Sequence, residues 1–117
     1  MSEKGIHERL MALLSPLPYP CRLQVSGGTE PIYITWYEME MRPVLHAGNR
    51  VKRYEQVAQV SIYGLEPIDE AVREVLDALT GGGFHVSSCG PQGYLPSSSR
   101  YHYPIICRVG VKHMDKP

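Results

Sequence analysis

Residues 54–79 constrain the fold more than any other stretch, because an alternation with a period of two gives way there to a helical period of 3.6. Tyr54, Ala58, Val60 and Ile62 lie on one side of the alternation. Arg53, Glu55, Gln59 and Ser61 lie on the other, as in a sheet with one dry face and one wet face. Val57 and Tyr63 interrupt the wet side, so that face is not wholly given to solvent. Gly64 breaks the pattern, and Pro67 stands where a first helical turn needs no N–H partner. Ile68, Val72, Val75, Leu76 and Leu79 then form one apolar stripe. Asp69 and Glu70 fall in the first turn, where the helix dipole favours negative charge, and Gly81, Gly82 and Gly83 stop the helix. A strand feeding a helix in this way sets an architecture and leaves the chemistry open.

The flanking segments extend that architecture. Ile6, Leu10, Leu13 and Leu14 give a first helical stripe with Ser2 as its expected N-cap, and Pro16, Pro18 and Pro20 force an extended connection after it. A short strand is expected at residues 21–25, a turn at 26–29, and a long strand at 32–41 opened by Pro31. The first half of that strand is apolar on both sides. The second half keeps Met39 and Met41 on one side and Glu38 and Glu40 on the other, as in a strand that begins at the centre of a sheet and runs out of it. Residues 42–50 read as the loop of a protruding hairpin. Past the helix, residues 84–88 read as a short strand, 89–99 as a loop rich in Gly, Pro and Ser, and 101–111 as a last strand with one continuous apolar face. Pro104 asks for an edge position or a bulge in that strand. The pattern predicts one α+β domain over residues 1–117. It has a mainly antiparallel sheet of about four to five strands, two helices on one face and a long protruding strand hairpin.

Composition excludes more than it assigns. Formal net charge is zero, which gives no pull toward nucleic acid or an anionic membrane. No apolar run approaches the roughly 18 residues of a membrane span. Cys21, Cys89 and Cys107 cannot all pair within one chain and fit no zinc spacing; with no signal peptide, they point to a reducing, cytoplasmic setting. His85, Cys89, His102 and Cys107 are the one set with metal-ligand chemistry, but His102 and Cys107 have opposite parity on one strand and so face opposite ways. Cys107 reads as a small buried apolar group, and nothing specifies a base or an oxyanion donor beside Cys89. Glu38 and Glu40, read as two carboxylates on one strand face, lack the cleft that a glycosidase pair spans. The glycine run follows a helix and has no Lys-Ser/Thr ending, so it is no phosphate loop. No catalytic residue, cofactor or metal ligand is assigned, and no enzyme activity is expected.

A monomer leaves three features unexplained: two strands longer than a small core needs, eight tyrosines, and a basic cluster (Arg42, His46, Arg50, Lys52, Arg53) beside Glu38, Glu40 and Glu55. Both signs occur together, which favours a charged arm docking on a neighbouring subunit over a nucleic-acid surface, where aromatics would separate the cations. The expected subunit-interface residues are Glu38, Glu40, Arg42, His46, Arg50 and Arg53.

Four stretches then carry a family likeness: Pro31-Ile32-Tyr33-Ile34-Thr35-Trp36-Tyr37; Tyr54-Glu55-Gln56-Val57-Ala58-Gln59-Val60-Ser61-Ile62-Tyr63; the acidic helix at 69–79 with Gly83-Phe84; and Tyr101-His102-Tyr103-Pro104-Ile105-Ile106. Over about residues 31–111 the chain resembles the small tail terminator (tail completion, head–tail joining) proteins of long-tailed bacteriophages and prophages. The resemblance implies a non-enzymatic structural protein of the virion tail, assembled in the cytoplasm of the bacterial host. Such proteins form a ring, commonly a hexamer, that caps the tail tube, ends its polymerisation and meets the head. The partners it implies are further copies of the chain, a tail tube protein and a head–tail connector protein, with no membrane. The alternative reading is a small α+β binding module that takes a ligand or nucleic acid through the hairpin at 42–53.

Overall fold

Where the two periods meet, the chain passes from strand β3 (Arg50–Gly64) into helix α2 (Asp69–Gly81). The structure, a computed structural model, describes residues 5–23, 30–46 and 50–112, with backbone alone at 23, 44–46, 50–53, 111 and 112. The other elements are α1 (Ile6–Leu14), β1 (Cys21–Leu23), β2 (Ile32–His46), β4 (His85–Cys89), β5 (Gly93–Leu95) and β6 (Arg100–Lys112). Six strands form one sheet in the order β1-β2-β3-β6-β4, with β5 also paired to β6. All pairings are antiparallel except β1 with β2. The class is α+β as the patterns predict, with one strand more than expected.

The two helices pack on one face of this sheet, because each carries a single apolar stripe. Ile6, Leu10 and Leu14 of α1 and Ala71, Val72, Val75 and Leu79 of α2 are buried. They close over Ile34 and Trp36 of β2, Ala58, Val60 and Ile62 of β3, and Ile105, Cys107 and Val109 of β6. Register explains the set: Ile34 lies opposite Ile62, Trp36 opposite Val60, and Val60 in turn opposite Ile105. The Trp36 indole Nε1 donates to His7 Nδ1 at 3.2 Å, tying α1 to the sheet. A Cβ on Gly82 would overlap the Leu13 side chain, so the helices approach each other through a position that carries none. Gly83 adopts φ 92°, the left-handed conformation that ends many helices and that glycine adopts without strain.

The structure places several expectations differently. The Ser2 cap lies outside the described residues; α1 starts after Gly5, which has no side chain to cap it. Pro67 precedes the first turn rather than sitting in it, since α2 begins at Asp69. Of the loop expected at 42–50, residues 42–46 and Arg50 are strand: β2 continues to His46 and β3 resumes at Arg50, because ladder pairing reaches as far as His46 opposite Arg50; residues 47–49 lie outside the described residues. Residues 89–99 are not all loop either. Gly93, Tyr94 and Leu95 pair with His102, Tyr101 and Arg100 as β5. Pro104 finds its edge position inside the sheet, with no bulge in β6. It falls where the outer partner of β6 changes, β5 ending opposite His102 and β4 starting opposite Ile105, so no ladder donor is asked of it. Its carbonyl still accepts from the Gly90 N–H at 2.8 Å.

Candidate interface on the strand arm

β2, β3 and β6 run on together beyond the helices. β2 and β3 have 15 residues each and β6 has 13, and the molecule measures 50 × 26 × 23 Å. These outer halves form an arm held by ladder bonds and polar side chains, with Val57 and Val109 buried at its base. On it, Arg108 Nε pairs with Glu55 Oε2 at 3.2 Å, and Arg108 Nη1 donates to Ser87 Oγ at 3.3 Å. Val57, opposite both Glu40 and Arg108 in the ladders, is buried.

The acidic pair expected on one face is split. A bulge between Glu38 and Glu40 sets Glu38 opposite Ala58 and Glu40 opposite Val57, and adjacent residues of β3 point to opposite faces. Glu38 therefore lies on the helix side, where its Oε2 accepts from Gln56 Nε2 at 3.2 Å. Glu40 lies on the other side and meets Arg42 Nε at 3.3 Å, both side chains half-exposed. Met39 and Met41 are 45% and 51% exposed, large for apolar groups that a monomer has no reason to leave in water. Of the remaining expected interface residues, His46, Arg50 and Arg53 have their backbone in the hairpin strands, and their side chains lie outside the described residues.

The face turned away from the helices carries a row that pattern reading did not assemble. Tyr33 stacks on Tyr63 with centroids 5.0 Å apart, and Tyr63 tilts over His102 at 4.8 Å. The guanidinium carbons of Arg100 and Arg22 stand 5.0 and 5.5 Å from the Tyr33 ring, and Arg22 is held by Glu30 at 2.7 Å. Tyr33 is only 4% exposed as a result, although no helix covers it. Burial lowers the pKa of His102 and raises that of Tyr63. Further along, the Tyr37 hydroxyl donates to Gln59 Oε1 and Gln59 Nε2 donates to Ser61 Oγ, each at 3.1 Å. The signal was in the sequence: Tyr33, Tyr63 and His102 all have the parity opposite to the core residues of their strands.

The residues with metal or nucleophile chemistry are dispersed. Cys107 is buried, its thiol pushed up to about 12 by desolvation, and its Sγ lies 3.7 Å from the Ala58 carbonyl. Cys89 is exposed and hydrogen-bonded to the Tyr103 hydroxyl, whose pKa that bond raises. Among the described residues no three or more His, Cys, Asp or Glu side chains converge as metal ligands. A shallow apolar groove of about 440 Å³ runs between α1 and Trp36, lined by His7, Glu8, Met11 and Ala12. No protein-family model matches the chain, and no curated protein matches it either.

Proposed function

We propose that the chain is a structural assembly subunit of a long-tailed phage or prophage tail, of the tail terminator kind. In this reading, copies join into a ring that ends growth of the tail tube and meets the head–tail connector. The observation that carries it is the arm. Three strands leave the helix-covered core together, hold exposed Met39 and Met41, and end in a hairpin whose sequence is basic while its β2 flank begins with Glu38 and Glu40. A ring contact joins two different surfaces of one subunit, and surfaces of opposite sign suit that requirement. The aromatic row fits a binding module less well, because Tyr33 is already buried between Tyr63 and two guanidinium groups and offers no open stacking platform.

The test is to add purified protein to tail tubes from the phage or prophage whose genome carries the chain, and to image them by negative-stain electron microscopy. The expected result is a cap at one tube end and arrest of further growth. Bare ends and continued growth at saturating, folded protein would sink the reading.

A further inference from the structure

Among the described residues, the arm leaves one strand position open. β1 pairs with β2 only at Ile34, Thr35 and Trp36, and among the described residues nothing pairs with the outer edge of β2 after Trp36. Residues 38–43 along that edge (Glu38, Met39, Glu40, Met41, Arg42, Pro43) are all exposed. Natural edges of this kind are protected by bulges, prolines and charges, which discourage indiscriminate strand addition. Here the same devices leave one register open.

We infer that the β2 edge pairs with the β2 edge of a second copy, antiparallel, about a two-fold axis at Met41. In that register Met41 faces the partner's Met41, and each Glu40 faces the partner's Arg42. The contact is self-complementary, as a two-fold interface must be. A slip of two residues in one direction sets Glu40 against the partner's Glu40; a slip in the other sets Arg42 against the partner's Arg42. A slip of one residue turns the partner's sheet over, since neighbouring residues of a strand point to opposite faces.

The backbone agrees with the charges. Pro43 has no N–H to give to a ladder, and this register sets it against the partner's Met39, the residue that the bulge between Glu38 and Glu40 takes out of regular pairing. The bond between Glu40 and Arg42 within one chain, 3.3 Å, becomes part of a four-charge cluster spanning the axis. The exposed Met41 side chains lose water to each other. The two helix layers end on the same side of a joint sheet, at opposite ends.

The area is modest. Residues 39–43, the stretch between the irregularities of β2, face their counterparts over roughly 17 Å at ~3.3 Å per residue, and a strip ~15 Å wide buries about 250 Å² per partner. About 500 Å² in total is below the range of stable specific interfaces, so the dimer is weak and forms only at high concentration. The inference rests on the strand edge alone and concerns the free subunit, since Glu40 and Met41 cannot serve this two-fold contact and a ring contact at once.

Sedimentation equilibrium over a concentration series tests it. The wild-type mass should climb toward twice the 13.2 kDa subunit. Glu40→Arg and Arg42→Glu should each weaken the dimer about tenfold or more, because each places like charges across the axis. The double variant E40R/R42E should restore it. Independently, Met41→Cys in a Cys89→Ser background should oxidise to a covalent dimer, while Met39→Cys in that background should not. A monomer at every concentration, a dimer indifferent to both single reversals, or a double variant no tighter than the singles would each overturn the inference.

Discussion

The inner and outer halves of β2, β3 and β6 are the same three strands held in two ways. In the inner half, Ile34, Trp36, Val60, Ile62 and Ile105 are sealed under two helices, with exposures of 0 or 1%. In the outer half the same ladders continue, but side chains such as Glu38, Met41, Arg42, Glu55 and Arg108 are exposed or half-exposed, with ion pairs from Arg42 to Glu40 and from Arg108 to Glu55. Hydrophobic burial pays for the inner half at roughly 25 cal/mol per Å² of apolar surface. Surface ion pairs contribute about 0–1 kcal/mol each. Strand length in this chain is therefore not set by its core; the arm extends beyond what core formation requires.

The largest test of that contrast removes apolar volume from each half. Leu79→Ala, under the inner half, should cost about 2–5 kcal/mol in urea unfolding, the range for buried leucines. Met41→Ala, on the arm, should change monomer stability by about 0.5 kcal/mol or less. Equal losses would break the comparison. A smaller effect is expected where the helix layer itself is tight. Gly82→Ala drives a Cβ into Leu13 and should lower stability by about 1–3 kcal/mol, with Leu13→Ala in the same chain recovering part of it in a thermal melt.

The smallest effect sharpens the view of the uncovered face. His102 has its pKa lowered by burial beside Tyr63. A folded state that resists protonation more than the unfolded chain is fully stabilised above the unfolded pKa, near 6.5, and loses stability as pH falls through that value toward the lower folded one. The melting temperature should therefore drop below about pH 6.5, and His102→Gln should flatten that part of the profile.

How much of this was legible in the sequence follows from which forces act locally. The β3–α2 unit was readable because two clean periods abut at Gly64, and one face of each element is buried. The bulge at Met39 was not, because Glu-Met-Glu-Met is a flawless alternation and the extra residue becomes visible only against the partner strand. β5 was hidden among prolines and glycines, since Gly93, Tyr94 and Leu95 become a strand only by pairing with β6. The acidic members of the candidate interface could be named from sequence, whereas their placement on two faces could not. Tyr63 looked like an exception on a wet face, Tyr33 like part of a strand apolar on both sides and His102 like one of the residues alternating with an apolar face, and strand register alone makes them neighbours.

The bond between Trp36 and His7 gives the chain an optical label. Trp36 is the only tryptophan, it is 1% exposed, and α1 holds its indole nitrogen. Lifting α1 from the sheet will let water reach the ring and move its emission to longer wavelength. A change confined to the arm beyond Met39 will leave the spectrum in place. Fluorescence of the unmodified protein can thus tell, in a single cuvette, whether an added partner works on the hairpin or pries open the core.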